Sequence, residues 1–147
     1  MGLDTTHGAW HGSYSSFASW RRSIAKHYDV PLDLMEGFWS PEGATESLIK
    51  SAVGNNGYLD KYKKVLPIKW EVIKIPHCIK ALLNHSDCDG HLTPSICGKL
   101  SKELFKIAPI VKSVDSGFSD EYIRGKTISF AEGCKCAFDS SEKLEFR

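Results

Sequence analysis

No stretch of this sequence of 147 residues approaches the roughly 20 apolar residues that a membrane-spanning helix requires. The opening "MGLDTTHGAW" lacks both the basic start and the apolar core of an export signal. Charge of one sign is not in excess: 19 Lys and Arg face 18 Asp and Glu, for a net charge of +1. A strong nucleic-acid binder usually carries a clear basic surplus, so that class is demoted. The paired C-x2-C spacing of structural zinc modules is missing too, because the five cysteines offer only Cys134-x-Cys136 at close range. These absences leave a cytoplasmic chain with reduced thiols as the expectation. The length suits one globular domain, residues 1–147, with a hydrophobic core that needs no disulfide or metal support. Thr6 fits the pattern of N-myristoylation behind Met1-Gly2, but Asp4 and the lack of a second membrane signal argue against an anchor.

What is present reads as short, well-punctuated elements. A short strand is expected over residues 2–7, then a helix over Gly12–Tyr28 capped by Ser13. Tyr14, Phe17, Trp20, Ile24 and Tyr28 recur at steps of three and four on one face of it, with Arg21, Arg22 and Lys26 off that stripe. Asp29–Pro41 reads as a loop holding a short turn, and residues 44–53 as a short helix stopped by Gly54–Gly57. Alternation over Leu66–Pro76 suggests a strand, and a short helix begins near Pro76. Thr93 followed by Pro94 is a strong helix start, with Ile96, Leu100, Leu104 and Ile107 as the apolar stripe. After a turn at Asp115–Ser119 comes a helix over 119–140. Tyr122, Ile123, Ile128, Phe130, Ala131 and Cys134 mark its expected buried side, and Gly125 and Gly133 weaken it. A closing strand at Lys143–Phe146 pairs most economically with the N-terminal Gly2–Thr5. The expected class is α+β, mostly helical, with a small sheet.

Chemistry concentrates in two places. The first is "HSDCDGH", residues 85–91. Setting Gly90 at the sixth position of an EF-hand loop puts His85 first and Ile96 twelfth, where calcium requires oxygen donors. That reading fails. His85, Asp87, Asp89 and His91 are competent transition-metal ligands, and Asp4, His7 and His11 could complete a site if the segments meet. The plain alternative is a turn whose Asp side chains hydrogen-bond the local backbone. Cys88 between two aspartates makes a poor thiolate, since their charge opposes ionisation. Cys78 beside His77 on a helix points away from it.

The second place is "THGAWHGSYSSF", residues 6–17. Ser13, Ser15 and Ser16 open a helix, and free N–H groups at a helix start hold anions. Trp10 and Tyr14 have rings that stack on a base, or that simply fill a core. The "KYKK" run at Lys61–Lys64 is read as a solvated turn.

Three blocks, the opening "MGLDTTH" with "WHG" and "YS", the central "HSDCDG", and the closing "FAEGC" with "LEFR", together resemble a family of small bacteriophage and prophage proteins with no assigned activity. The resemblance implies a phage or prophage origin and a cytoplasmic setting. By analogy of gene context it suggests action on host defence, in some cases by capture of nucleotide signals.

The leading expectation is therefore a binding protein that sequesters a small polar, nucleotide-derived ligand between Asp4–Ser13 and His85–His91. His7 and His11 would donate to phosphate or ribose, and Ser13 stands at the helix start. Trp10 would stack, His85 stands at the turn, and Asp87 and Asp89 would accept from hydroxyls or a base edge. No cofactor is expected, and self-association is left open. The first rival is a phosphoester hydrolase using His7 or His85 as general base, or a metal held by His85, Asp87 and Asp89. The second is an inhibitor that blocks a host enzyme by surface contact.

Overall fold

The computed structural model describes residues 2–39, 67–86 and 88–147. The helix expected at 44–53, its glycine stop, the lysine run at 61–64 and Asp87 lie outside the described residues.

Strands β1 (Gly2–Asp4) and β2 (His11–Ser13) pair antiparallel, with Leu3 opposite Gly12 and Asp4 opposite His11. Glycine is required at position 2, where a Cβ would lie 2.5 Å from the Gly12 carbonyl oxygen. The expected strand over 2–7 stops short of its full length. Thr6–Gly8 coils into a 3-10 turn with His7 at φ 62, and the Thr5 hydroxyl accepts from the Trp10 amide at 2.8 Å.

Helix α1 (Tyr14–His27) begins where Ser13 predicts, its hydroxyl accepting from the Ser16 amide at 3.1 Å. Phe17, Trp20 and Ile24 are fully buried. Short helix α2 (His77–Leu83) follows Pro76. Helices α3 (Pro94–Ile107) and α4 (Asp120–Asp139), capped by Thr93 and Ser119, pack on one another and dominate the core. Two readings of α4 change. Ile128 faces solvent at 41% exposure, and Thr127 is buried in its place, accepting from Trp20 Nε1 at 3.0 Å and donating to the Ile123 carbonyl. Gly133 is a contact residue: a Cβ there would stand 2.4 Å from the Ala9 Cβ.

The strand expected over Leu66–Pro76 is corrected by the structure. Among the described residues one bridge forms, Met35 with Ile68, and Trp70–Val72 is a 3-10 turn. Ile68 and Ile73 anchor the two ends in the core while Val72 stays 43% exposed, so the apparent alternation marks a crossing turn. Trp70 Nε1 donates to the Glu36 carbonyl at 2.9 Å.

Strands β3 (His91–Leu92) and β4 (Leu144–Glu145) form a second antiparallel pair, with His91 opposite Glu145. The expected meeting of the two chain ends occurs, by a single bridge. Thr5 pairs with Phe146, flanked by Asp4 and Arg147 exchanging both backbone hydrogen bonds at 3.0 and 2.7 Å. Two small two-stranded sheets are thus joined into a ribbon in the order β2, β1, β4, β3. The class is α+β, with four α-helices among the described residues. No helix there is long and apolar enough to cross a membrane.

Candidate polar ligand site

Side chains of paired strands alternate between faces, and the joined ribbon sorts them cleanly. Leu3, Thr5, Leu92, Leu144 and Phe146 point inward and are buried. Asp4, His11, His91, Glu145 and Arg147 lie exposed on the other side. The N-terminal segment and the segment leaving the 85–91 turn are therefore carried on one ribbon, with the C-terminal strand between them.

Charges on this face are loosely paired. His11 Nδ1 lies 3.3 Å from Asp4 Oδ1, and Arg147 lies 3.8 Å from Glu145. His7 bridges Thr6 Oγ1, at 3.0 Å, and Glu142 Oε1, at 3.5 Å. A shallow cleft of about 410 Å³ opens here, lined by Thr6, His7, Glu142, Lys143, Glu145 and Arg147. Its left-handed wall, His7 then Gly8 at φ 66, is a conformation that non-glycine residues seldom hold without surrounding support.

The 85–91 turn is built from below. Arg21 is only 5% exposed. Its Nη1 donates to the carbonyls of His85 and, at 3.3 Å, Leu83. The guanidinium carbon lies 4.9 Å from the Phe17 ring centre and 5.5 Å from that of Phe38. The His85 ring stacks on Phe146 with centroids 4.2 Å apart. Its two nitrogens face the carbonyl oxygens of Ser86, at 2.7 Å, and His91, at 3.1 Å. Gly90, at φ 90, accepts from the Phe146 amide at 3.0 Å. Above this support Ser86, Cys88 and Asp89 are exposed, and Ser86 Oγ accepts from the Cys88 amide at 3.3 Å.

Among the candidate residues, Trp10 requires a correction of role. It is 1% exposed, its ring set against Phe17 and Trp20 at 5.0 and 5.3 Å, so no ligand stacks on it. It is a core residue because β2 must turn directly into α1, which presses residue 10 against the first buried turn. Ser13 is spent on capping α1. His7 and His11 border the ribbon, with the His11 side chain 90% exposed. His85 is half-buried, with each ring nitrogen within hydrogen-bond distance of a backbone carbonyl. Asp89 is exposed, and Asp87 lies outside the described residues.

Arg21, expected off the buried stripe together with Arg22 and Lys26, is instead buried beneath the turn. It sits four residues after Phe17 and three before Ile24, on the buried side of α1.

Among the described residues, no three His, Cys, Asp or Glu side chains converge as a metal site. All five thiols are free. A hydrogen bond with Cys97, reinforced by burial, pushes the Cys134 thiol well up, and burial raises the Cys78 thiol. Neither is an activated nucleophile. No protein-family model matches the chain, and no match is found among curated proteins or solved structures.

Proposed function

We propose that this protein acts by binding, capturing a small polar or phosphorylated ligand on the outer face of the ribbon and its adjoining cleft. The observation that supports this most strongly is Arg21. Burying a guanidinium is expensive unless it is fully engaged, and here it is spent on fixing the backbone of an exposed, polar turn. Rigid support beneath an exposed loop is how binding sites are pre-organised. Lys143 and Arg147 are the cations placed to meet a phosphate, and His7 and His11 can donate beside them. Two acids also line the cleft, Glu142 at 3.5 Å from His7 and Glu145 at 3.8 Å from Arg147. Asp89 supplies an acceptor for a hydroxyl or a base edge.

A nucleotide-derived signal is the ligand class this arrangement favours. In a phage or prophage setting, capture without turnover would lower the free signal and blunt a host defence response. Calorimetric titration with nucleoside monophosphates, diphosphates and cyclic dinucleotides tests the reading. One of these is expected to bind, and His7→Ala and Arg147→Ala should each weaken it by roughly 10- to 100-fold, the range for losing a charged hydrogen bond. Affinity unchanged in both variants would sink the site. Steady appearance of product would replace capture with hydrolysis.

A further inference from the structure

A second surface stands apart from the ribbon, between α3 and the last turn of α4. It is a groove of about 590 Å³ whose walls include Gly98, Lys99, Lys102, Phe105, Lys135 and Phe138. Phe105 and Phe138 are 39% and 50% exposed, a large apolar content for a surface that no described residue covers further. Glycine at position 98 makes the groove. A Cβ there would stand 2.6 Å from the Phe138 ring, so only glycine lets that ring lie against α3 as it does. From Ser95 to Phe105 the wall runs ten residues, about 15 Å, which matches three turns of a helix laid alongside.

The rim is basic. Lys99 and Lys102 make no ion pair among the described residues, while Lys135 is 2.9 Å from Asp139, the one acid among the described residues that line the groove. Two lysines without an ion pair among the described residues, beside two exposed phenylalanines, form the complement of a helix with apolar anchors and flanking carboxylates. Grooves between paired helices take a third helix by ridge-into-groove packing, and anchors at i, i+3, i+4 and i+7 are how such helices bind. We infer that the α3–α4 groove docks an acidic amphipathic helix of a partner protein. This site is separate from the ribbon and does not depend on the ligand proposed there.

The test uses the full chain and a fluorescein-labelled peptide of about 14 residues, with Leu and Phe anchors at those positions and Glu between them. A sister peptide carries Lys in place of every Glu. Binding is read by anisotropy and by amide shifts in the NMR spectrum. The acidic peptide should bind, shift residues 95–105 and 135–139, and lose about tenfold or more in affinity in Lys99→Glu/Lys102→Glu. Phe138→Ser should also weaken it; because the ring is half-exposed the fold should survive the change, which the spectrum checks directly. Equal binding of the basic peptide would overturn the acidic partner while keeping the groove as a docking site. Absence of binding and of groove shifts up to about 1 mM would overturn both. Binding to phosphatidylglycerol vesicles but to neither peptide would reassign the groove to a lipid surface. A dimer in sedimentation that Phe138→Ser makes monomeric would reassign it to a second copy of this chain.

Discussion

Replacing Arg21 by methionine isolates what the buried guanidinium does, because methionine keeps most of the apolar stem and removes every donor. Two carbonyl oxygens, of Leu83 and His85, would lose a charged donor in a place water does not easily reach. Each unsatisfied carbonyl costs about 1–3 kcal/mol. The ring contacts with Phe17 and Phe38 add about 1 kcal/mol at a desolvated position. Against this stands relief from desolvating the charge, which in other proteins offsets much of such a loss. The expected net destabilisation is about 2–3 kcal/mol, a fall in Tm of roughly 5–10 °C for a chain of this size. Urea and thermal unfolding followed by circular dichroism give the global figure. Hydrogen exchange at residues 88–91 gives the local one, which should rise more than exchange in α3 or α4. A variant within about 0.5 kcal/mol of the parent, with unchanged exchange over the turn, would refute the claim that Arg21 holds it.

Gly133→Ala should destabilise by about 2 kcal/mol or more in urea unfolding, since the new Cβ would collide with the Ala9 backbone, which a side-chain movement cannot relieve. At position 7, His7→Gly should unfold at a temperature no lower than His7→Val, because a β-branched residue resists the left-handed backbone that glycine adopts freely; the reverse order would mean the turn rebuilds. The Gly117 amide, then the Ser19 hydroxyl, hold the Asp115 carboxyl below its usual range. Its stabilisation is thus present above the unfolded value of about 3.9 and is lost as pH falls through the lowered folded value. Asp115→Asn should flatten the acid limb of a plot of Tm against pH. Burial, then the bond to Glu103, raises the Tyr28 hydroxyl, so stability should fall as pH climbs above about 10. Tyr28→Phe should remove that alkaline loss.

Much of the fold was legible because its signals are local. Ser13 and Thr93 announced α1 and α3 through capping chemistry, and steps of three and four picked out Phe17, Trp20, Ile24, Leu100 and Leu104 as core. The meeting of the chain ends was also readable, though it proved to be one bridge beside the β3–β4 pair. The strand at 66–76 misled because Ile68, Trp70 and Val72 alternate with Lys69 and Glu71 in the sequence, whereas Trp70–Val72 coils into a 3-10 turn that leaves Val72 exposed and buries Ile68 and Ile73 instead. Ile128 misled because Thr127 took the inward place, its hydroxyl satisfied by Trp20 and the Ile123 carbonyl. The site was harder to read. Whether Trp10 stacks on a ligand or fills a core depends on contacts with residues far along the chain. The function of Arg21 depends on the carbonyls of Leu83 and His85, more than sixty positions away, and no local pattern encodes that.

Ligand capture is tested most directly by the mass of the protein purified without denaturation, set against its mass after unfolding. An excess equal to one nucleotide-derived molecule is expected, released on unfolding and absent from a His7→Ala/Arg147→Ala double variant. A bare native mass that stays bare after the nucleotide panel is added would contradict the proposal.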